Sequence, residues 1–233
     1  INIEKIIWKL KKIEIYSDNL KNEKILNFEN KSDQLFSIVK NFQLNEILNK
    51  SLFKNKYCKK IKSGKKKIEF DKYNIVINTD FSNNFTKKFF YKKITKTYNS
   101  LAYTTIIEHE KILNDVAVQI FTKKGPLAFL PISKNKTSIV YSIHNSKNNI
   151  KENFNQLLRK YNLKYKIKKI NELEKANLKF FMPRNYINKN TLFFGDILHR
   201  IHPLAGQGFN MTIRDIKVLI KIIKNKLDLG LQL

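Results

Sequence analysis

The chain has 233 residues, of which 42% are hydrophobic and 28% charged, and its formal net charge is +27. This length and composition exclude a disordered tail and allow one large domain or two small ones, each with a real core. Only four of the 46 basic residues are arginines, and the lysines are spread along the chain instead of forming one patch. Because arginine is the side chain suited to bidentate phosphate and base contacts, the charge does not indicate a nucleic-acid-binding protein.

Cysteine usage and hydropathy exclude further classes of protein: disulfide-rich, cysteine–metal and membrane-spanning proteins. Cys58 is the only cysteine, so the sequence holds no disulfide framework and no cysteine-based metal site, and we expect no bound metal. A lone thiol agrees with a reducing cytoplasm. No apolar run approaches the roughly 20 residues that cross a bilayer, and from the early charged residues we expect no signal peptide. Since the first residue is not Met, we expect a fragment or a processed chain.

The first half of the chain alternates between strand and helix patterns. Apolar and polar residues alternate over 3–16 and 20–29, which predicts strands. Residues 39–53 have helical spacing, with Asn41 as the expected N-cap. Short strands are then predicted at 57–62, 66–70 and 73–78.

The second half is mostly strand until its last element. We predict strands over 98–110, 115–122, 138–143, 164–170, 177–182 and 192–194. The first two of these are expected to form an antiparallel pair that turns at Asn114-Asp115. Helices are predicted over 150–161 and from Gln207 to Lys226. The inward face of the last helix is expected to consist of Ile213, Ile216, Leu219, Ile220 and Ile223.

The segment from Thr191 to Asp215 predicts a ligand site built from a buried strand, a loop and a helix start. The strand delivers Asp196 to the carboxyl edge of a sheet, where open α/β folds bind ligands and a carboxylate accepts hydrogen bonds from ligand hydroxyls. Pro203 stiffens the loop, and Gly206 and Gly208 let the backbone approach a flat ligand closely. The helix start directs free N–H groups and a positive dipole end at the ligand. An ordinary strand–loop–helix connection is the alternative.

The full spacing from Gly195 to Asp215 is G-D-x-x-H-x-x-x-P-x-x-G-Q-G-x-N-x-x-x-x-D. It resembles the second flavin motif of the FAD-dependent aromatic-ring hydroxylases, the p-hydroxybenzoate hydroxylase-like family, and fills every fixed position of that motif. His199 and His202 flank the flavin loop, and we assign neither of them a catalytic role. The resemblance implies the following cofactor-binding residues: Gly195, Asp196, Pro203, Gly206, Gln207, Gly208, Phe209 and Asn210, together with Asp80.

A second stretch, from Tyr98 to Ile132, resembles the substrate-domain strands of the ubiquinone-biosynthesis hydroxylases. It contains G-P-L-A-x-L-P from Gly125 to Pro131, a run typical of that branch. Taken by itself, the stretch would indicate only a β-hairpin followed by a Pro-bounded edge strand.

The family's middle motif is altered in this chain. That motif is Ala-Asp-Gly followed by a Ser and an Arg. Asp80 remains here, but Phe81 replaces the glycine, Asn84 the serine and Lys87 the arginine. Phe42 also stands at a position of the flavin-domain helix that usually holds arginine. We expect these replacements to weaken FAD binding and reduction by NAD(P)H.

The family's N-terminal βαβ unit, whose G-x-G-x-x-G loop cradles the FAD pyrophosphate, has no counterpart in these residues, because all six glycines lie at or after Gly64. The resemblance also stops before the family's C-terminal helical region. We therefore expect a fragment of a longer protein or a decayed relative. The implied fold is α/β (α+β mixed): a partial FAD/NAD(P)-binding Rossmann-like module (31–90 and 181–233) interleaved with a mixed β-sheet substrate module (1–30 and 91–180).

The resemblance implies a flavin-dependent monooxygenase with FAD as cofactor and NAD(P)H as reductant. Its substrate is expected to be a lipophilic polyprenylated phenol of ubiquinone biosynthesis. The alternative is a non-catalytic fragment or pseudoenzyme that serves as an accessory subunit of a quinone-biosynthesis assembly. An in-frame G-x-G-x-x-G unit in the upstream DNA would favour the enzyme. We expect a cytoplasmic protein with peripheral contact to the inner membrane face through the lysine-rich helix 211–226.

Overall fold

The computed structural model describes residues 3–20, 23–30, 34–61, 69–144, 153–198 and 207–232. Short 3-10 turns join several of the regular elements. In chain order, the strands and α-helices are β1 (Ile7–Leu10), β2 (Lys12–Ser17), β3 (Glu23–Glu29), β4 (Phe36–Val39), α1 (Asn41–Lys54), β5 (Val76–Asn78), α2 (Asn84–Phe89), β6 (Lys93–His109), β7 (Val116–Thr122), β8 (Gly125–Ser133), β9 (Lys136–His144), α3 (Phe154–Tyr161), β10 (Ile167–Ile170), β11 (Glu174–Pro183), β12 (Ile187–Asn188), β13 (Thr191–Phe193) and α4 (Gln207–Asp228).

The chain divides into two compact units. Unit 1 comprises residues 1–62 and 99–177, and unit 2 comprises 63–98 and 178–233. The predicted flavin module includes residues 31–62, whereas in the structure this segment belongs to unit 1. The reason is strand pairing: β4 pairs with β1 in antiparallel register, which ties the segment to the N-terminal strands. The assignment of one module to flavin and the other to substrate stays a prediction.

Unit 1 is built on a sheet with the strand order β10-β6-β9-β8-β7-β2-β3, and β11 also pairs with β6. β7 is parallel to β2 and antiparallel to β8. Alternate side chains of the central strands face α3, and the period-2 pattern of the sequence therefore buries one continuous core. The largest fully buried side chains of this core are Tyr103, Ile107, Ile120, Leu127, Phe129, Ile139, Tyr141, Ile143 and Leu158.

The predicted antiparallel pairing of β6 with β7 is wrong. β6 pairs with β9 and β10, and the residues between β6 and β7 form no hairpin turn. Asn114 is fully buried here, where its Nδ2 donates to the Ser133 carbonyl at 2.8 Å and to Thr137 Oγ1 at 3.0 Å. The Tyr165 hydroxyl donates to Asn114 Oδ1 at 3.1 Å. An interior hydrogen-bond network thus occupies the position where the sequence predicts a solvated turn.

Strand β8 contains the G-P-L-A-x-L-P run. It lies between β7 and β9 and is not the edge strand that its prolines indicate when taken alone. Pro131 pairs with Thr137, and the register shifts directly afterwards, between Pro131 and Ser133. The ladder irregularity accommodates a residue that has no N–H to donate.

Predicted strands around residue 60 also need correction. Residues 57–61 form no strand, and residues 62–68 lie outside the described residues. The chain turns because the Tyr57 N–H donates to Asn55 Oδ1 at 2.9 Å and the Cys58 N–H donates to the Asn55 carbonyl at 3.0 Å. The Tyr57 side chain is 84% exposed, so no core contact opposes this turn. The strand predicted at 73–78 is confined to β5.

Helices α1 and α4 are more exposed than their patterns predict. α1 begins at Asn41 with Lys40 as its N-cap, so Asn41 is not the cap. No residue described in α4 is fully buried: Leu219 and Ile223 are half-buried, but Ile220 is 60% exposed. Ile213 and Ile216 are 39% and 37% exposed, so they too do not form the predicted inward face.

Unit 2 contains a three-stranded sheet in the order β12-β13-β5. β13 is parallel to β5 and antiparallel to β12. A small apolar core of Phe90, Phe193 and Ile197 packs beneath it, with the Phe90 and Phe193 ring centroids 3.9 Å apart. Among the helices that the structure describes, none is long and apolar enough to cross a membrane.

Candidate functional site

The carboxyl ends of β5 and β13 lie at the same edge of the unit 2 sheet. The two strands are parallel, and Phe193 stands opposite Asn78 at their ends. Asp80 follows β5 and Asp196 follows β13, so both carboxylates come directly after this edge. The structure therefore brings together two predicted site residues that are separated by more than a hundred positions in the sequence, at the edge where α/β sheets bind ligands.

A tight turn at Gly195–Ile197 presents Asp196. Gly195 has a φ of +73°, a left-handed conformation that strains any residue with a Cβ. Ile197 is 1% exposed and packs in the unit 2 core, which anchors the far end of the turn. Asp196 itself is exposed between these two buried neighbours. The fold thus holds the backbone on both sides of Asp196 and leaves its carboxylate open to a ligand.

The carboxylate of Asp80 accepts hydrogen bonds from the turn that directly follows it in the chain. Asp80 Oδ1 accepts hydrogen bonds from the Ser82 hydroxyl at 2.7 Å and from the Ser82 N–H at 2.8 Å. These hydrogen bonds, with a smaller contribution from the charge of Lys87, hold the pKa of the exposed Asp80 carboxyl below its usual value. Asp80 therefore carries a full negative charge at neutral pH.

Buried polar residues under this turn were not predicted from the sequence. Asn78 is 7% exposed; its Nδ2 donates to Thr86 Oγ1 at 2.7 Å, and its Oδ1 accepts from the Asp80 N–H at 3.1 Å. The Thr86 hydroxyl donates to the Asp80 carbonyl at 2.6 Å. Asn83 Oδ1 caps α2 by accepting from the Thr86 N–H at 2.7 Å. An asparagine at the end of an apolar strand, followed by Ser-Asn before a short helix, was the available signal.

The phenylalanine that replaces the glycine of the middle motif has a packing role. The ring of Phe81 lies edge to face against Phe181, with centroids 4.5 Å apart. Asn84 and Lys87 both lie in α2, Asn84 as its first residue. The altered motif thus contributes to the packing of unit 2 through Phe81.

The first turn of α4 contains Gln207, Gly208, Phe209 and Asn210. α4 packs next to the turn that carries Asp196. In the part of the chain that the structure describes, no atom lies within 4 Å of a Cβ added to Gly208, and its φ is not left-handed. Neither packing against the described residues nor backbone conformation requires glycine there. Pro203, Gly206, His199 and His202 lie outside the described residues.

These features fit the ring and ribityl end of a flavin. An exposed carboxylate at a strand end can accept hydrogen bonds from hydroxyl groups such as those of a ribityl chain. Gly208 leaves space for a planar ring to approach the backbone. The first N–H groups of the 22-residue α4 have no partner within the helix, and the positive dipole end of the helix stabilises negative charge.

Comparison with known proteins supports this interpretation. Residues 67–228 match a family model described as an FAD binding domain. The chain is 28% identical over 148 residues to ubiquinone hydroxylase UbiL of Rhodospirillum rubrum, which covers 59% of this chain and 34% of that protein. It is 29% identical over 137 residues to 3-demethoxyubiquinol 3-hydroxylase of Escherichia coli, covering 53% of this chain and 33% of that protein. The matches thus span about one third of the length of these relatives.

Two solved structures share the fold. PqsL of Pseudomonas aeruginosa superposes with a TM-score of 0.71 at 14% identity, over 96% of this chain and 70% of that chain. The p-nitrophenol 4-monooxygenase PnpA of Pseudomonas putida gives a TM-score of 0.71 at 12% identity, over 98% of this chain and 66% of that chain. This likeness confirms the predicted mixed α/β fold. Because the family model covers most of the chain, the chain belongs to the family described as an FAD binding domain.

Proposed function

We propose that this chain is part of an FAD-dependent monooxygenase that hydroxylates the aromatic ring of a polyprenylated phenol in ubiquinone biosynthesis. The observation that carries the proposal is the arrangement of the Gly195–Ile197 turn, the exposed Asp196 and the open Gly208 at the start of α4. Family membership supports FAD as the cofactor. Two relatives, named as a ubiquinone hydroxylase and a 3-demethoxyubiquinol 3-hydroxylase, support the substrate class.

The residues of this chain would bind and orient the cofactor. Bound FAD, with NAD(P)H as electron donor, supplies the oxygen-activating redox chemistry. Asp196 would accept hydrogen bonds from the ribityl hydroxyls, and Asp80 would contact the cofactor from the same sheet edge. The N–H groups at the start of α4 would stabilise negative charge on the flavin ring. Gln207, Phe209 and Asn210 form the surface next to Gly208, and no residue need act as a nucleophile.

Replacement of Asp196 tests the cofactor site. We expect Asp196→Ala to weaken FAD binding about tenfold to a hundredfold, because a carboxylate that bonds to ligand hydroxyls is lost. Asp228→Ala, at the exposed far end of α4, is the matched control and should leave affinity unchanged. Flavin fluorescence titration of the chain joined to an N-terminal G-x-G-x-x-G βαβ unit measures both variants. Unchanged FAD affinity of Asp196→Ala would remove this residue from the site.

The reaction is tested with the same joined protein. With FAD, NAD(P)H and a polyprenylated phenol, we expect NAD(P)H oxidation coupled to formation of a hydroxylated ring, detected by mass spectrometry. Tight FAD binding with no product from any such phenol would contradict the proposed activity. It would favour the accessory-subunit function instead.

That second candidate is a non-catalytic subunit of a quinone-biosynthesis assembly. It is favoured by Phe81, whose ring packs on Phe181 where the family motif has glycine, so this position serves the fold of unit 2. A joined protein that folds but takes up no FAD would support it, as would co-purification with other quinone-biosynthesis proteins.

We also propose loose attachment to an anionic membrane face. On α4, Lys217, Lys221 and Lys224 recur at a helical spacing of four and three residues and stand beside the exposed Ile213 and Ile220. Each lysine near an anionic surface contributes attraction that salt screens. High salt should therefore release the protein from membranes. Release by detergent alone would contradict this electrostatic account.

A further inference from the structure

A cavity of about 410 Å³ lies in unit 1, apart from the proposed cofactor residues. Three parts of unit 1 form its walls: the β7–β8 turn, the 3-10 turn that starts at Asp18, and α3. Tyr141 and Tyr161 are 1% and 5% exposed and form its inner surface together with the half-buried Leu157. Its volume is that of a small-molecule site.

The first wall is a rigid two-residue turn made of Lys123 and Lys124. The Thr122 hydroxyl donates to the Gly125 carbonyl at 2.7 Å and accepts from the Lys124 N–H at 3.3 Å. Gly125 has a φ of +140°, and a Cβ there would lie 2.1 Å from the Ser142 carbonyl oxygen, so the turn tolerates only glycine. The backbone that carries both lysines is therefore fixed, and both residues line the cavity.

The opposite wall is held by a second network. The Tyr161 hydroxyl donates to Asp18 Oδ2 at 2.8 Å, and Lys160 Nζ donates to the Tyr161 oxygen at 3.0 Å. Lys160 also forms an ion pair with Asp18 at 3.5 Å. The only carboxylate among the described lining residues is thus committed to one lysine and one tyrosine.

Among the described lining residues, the positive charge of the lysines is therefore not balanced by carboxylates. Among the ion pairs between described residues, none joins Lys123 or Lys124 to a carboxylate. The lining also includes the amides of Asn153 and Gln156, which can donate hydrogen bonds. A ligand that fits has several oxygen acceptors and a negative charge. The cavity is larger than an inorganic anion needs, and its inner surface is aromatic and apolar, so the ligand also has an organic part.

We propose that this cavity binds an organic phosphate, whose phosphate group lies between Lys123 and Lys124 and whose organic part packs on Tyr141 and Leu157. Lysine ammoniums form charge-assisted hydrogen bonds with phosphate oxygens. Two sources share this chemistry: the glycerol phosphate of an anionic phospholipid headgroup, and a free phosphate ester in solution. The site lies outside the cofactor residues and does not depend on the proposed monooxygenase activity.

Titration of the 233-residue chain tests the site. The soluble probe is glycerol 3-phosphate, compared with inorganic phosphate by isothermal titration calorimetry. The lipid probe is phosphatidylcholine vesicles with and without phosphatidylglycerol, compared by co-sedimentation. The test variant is Lys123→Gln/Lys124→Gln. The matched control is Lys111→Gln/Lys134→Gln, which removes the same charge from exposed positions of unit 1 outside the cavity.

We expect saturable binding of at least one organic probe, weakened about tenfold or more by the cavity variant and less than about twofold by the control. Dependence on Lys123 and Lys124 with glycerol 3-phosphate assigns a soluble ester, and the same dependence with vesicles alone assigns a lipid headgroup; either result supports the site. Three results would overturn the proposed site. They are equal weakening by both double variants, binding of inorganic phosphate as tight as that of glycerol 3-phosphate, and no saturable binding of either organic probe.

Discussion

Replacement of Gly208 by alanine separates a ligand-binding role of this glycine from a structural one. Gly208 lies in the first turn of α4, and no described atom lies within 4 Å of the new Cβ. Alanine is favoured over glycine in a helix by about 0.5–1 kcal/mol. For a chain of this length, that gain should raise the melting temperature by about 1–4 °C. On structural grounds alone, Gly208→Ala should therefore be neutral or stabilising.

The same methyl group should weaken flavin binding. It would occupy the space through which the flavin ring is proposed to approach the backbone, and overpacking of this kind costs about 1–3 kcal/mol. That range corresponds to roughly fivefold to 150-fold weaker FAD affinity. Thermal unfolding followed by circular dichroism gives the stability of the chain. Flavin fluorescence titration of the chain joined to a G-x-G-x-x-G βαβ unit gives the affinity.

Gly195→Ala is the variant to compare with Gly208→Ala, because the two should differ in how stability and FAD affinity change together. The φ of +73° strains alanine by about 1–2 kcal/mol, although the nearest atom, Thr79 Cγ2, is 3.9 Å away and causes no clash. In this variant stability and FAD affinity should fall together. In Gly208→Ala they should move in opposite directions. A Gly208→Ala protein that binds FAD as tightly as the unchanged sequence, or that melts at a lower temperature, would refute the reasoning.

Two further predictions concern stability. Asn114→Ala leaves the buried hydrogen-bond partners of Asn114 unsatisfied and should lower the free energy of unfolding by about 2–4 kcal/mol in urea titrations; a loss below about 1 kcal/mol would contradict the network. Burial raises the pKa of Glu14, but hydrogen bonds from Lys24, Tyr16 and Lys12 outweigh it and lower the pKa to about 2. Because this pKa is depressed in the folded state, the stability it contributes is present above pH 4.5 and is lost as the pH falls toward 2. The Glu14→Gln protein should therefore be less stable than the unchanged protein at neutral pH, but nearly as stable at low pH. Urea unfolding of both proteins at the two pH values measures this difference.

The candidate site could be predicted from the sequence because its parts are local. The run from Gly195 to Asp215 predicts a strand end, a turn and a helix start by its spacing, whereas Asp80 enters the predicted site only through the family resemblance, and its position depends on the parallel pairing of β13 with β5. Local hydrogen bonds and backbone conformations are determined by neighbouring residues. The buried support of the site through Asn78 and Thr86 is less visible, because a polar residue after an apolar strand equally indicates a solvated turn.

Pairing between distant strands could not be predicted in the same way. β6 and β7 are neighbours in the sequence, but β9 and β10 take the positions beside β6. The Asn114 side chain stabilises this arrangement through a buried network that joins residues up to 51 positions apart. No local pattern distinguishes an interior asparagine from one in a turn. The same limit explains why the prolines of β8 wrongly indicate an edge strand. The structure accommodates them in a central strand through an irregular hydrogen-bond ladder.

The exposed edge of unit 2 leads to an expectation for the 233 residues by themselves. In the described sheet β5 pairs on one side only, and Ile77 is 46% exposed there. Ile216 and Ile220 of α4 are exposed as well, and the 233 residues contain no G-x-G-x-x-G loop to hold the FAD diphosphate. Surface lysines attract the diphosphate but are screened at physiological salt and form no defined cradle. Exposed apolar surface of this kind should also lower solubility.

We therefore expect the 233 residues to bind FAD more weakly than micromolar, and the same residues joined to a βαβ unit to bind it tightly. Titration with FAD followed by flavin fluorescence compares the two proteins. Micromolar or tighter binding by the 233 residues alone would overturn the fragment interpretation and indicate a minimal, self-sufficient flavoprotein.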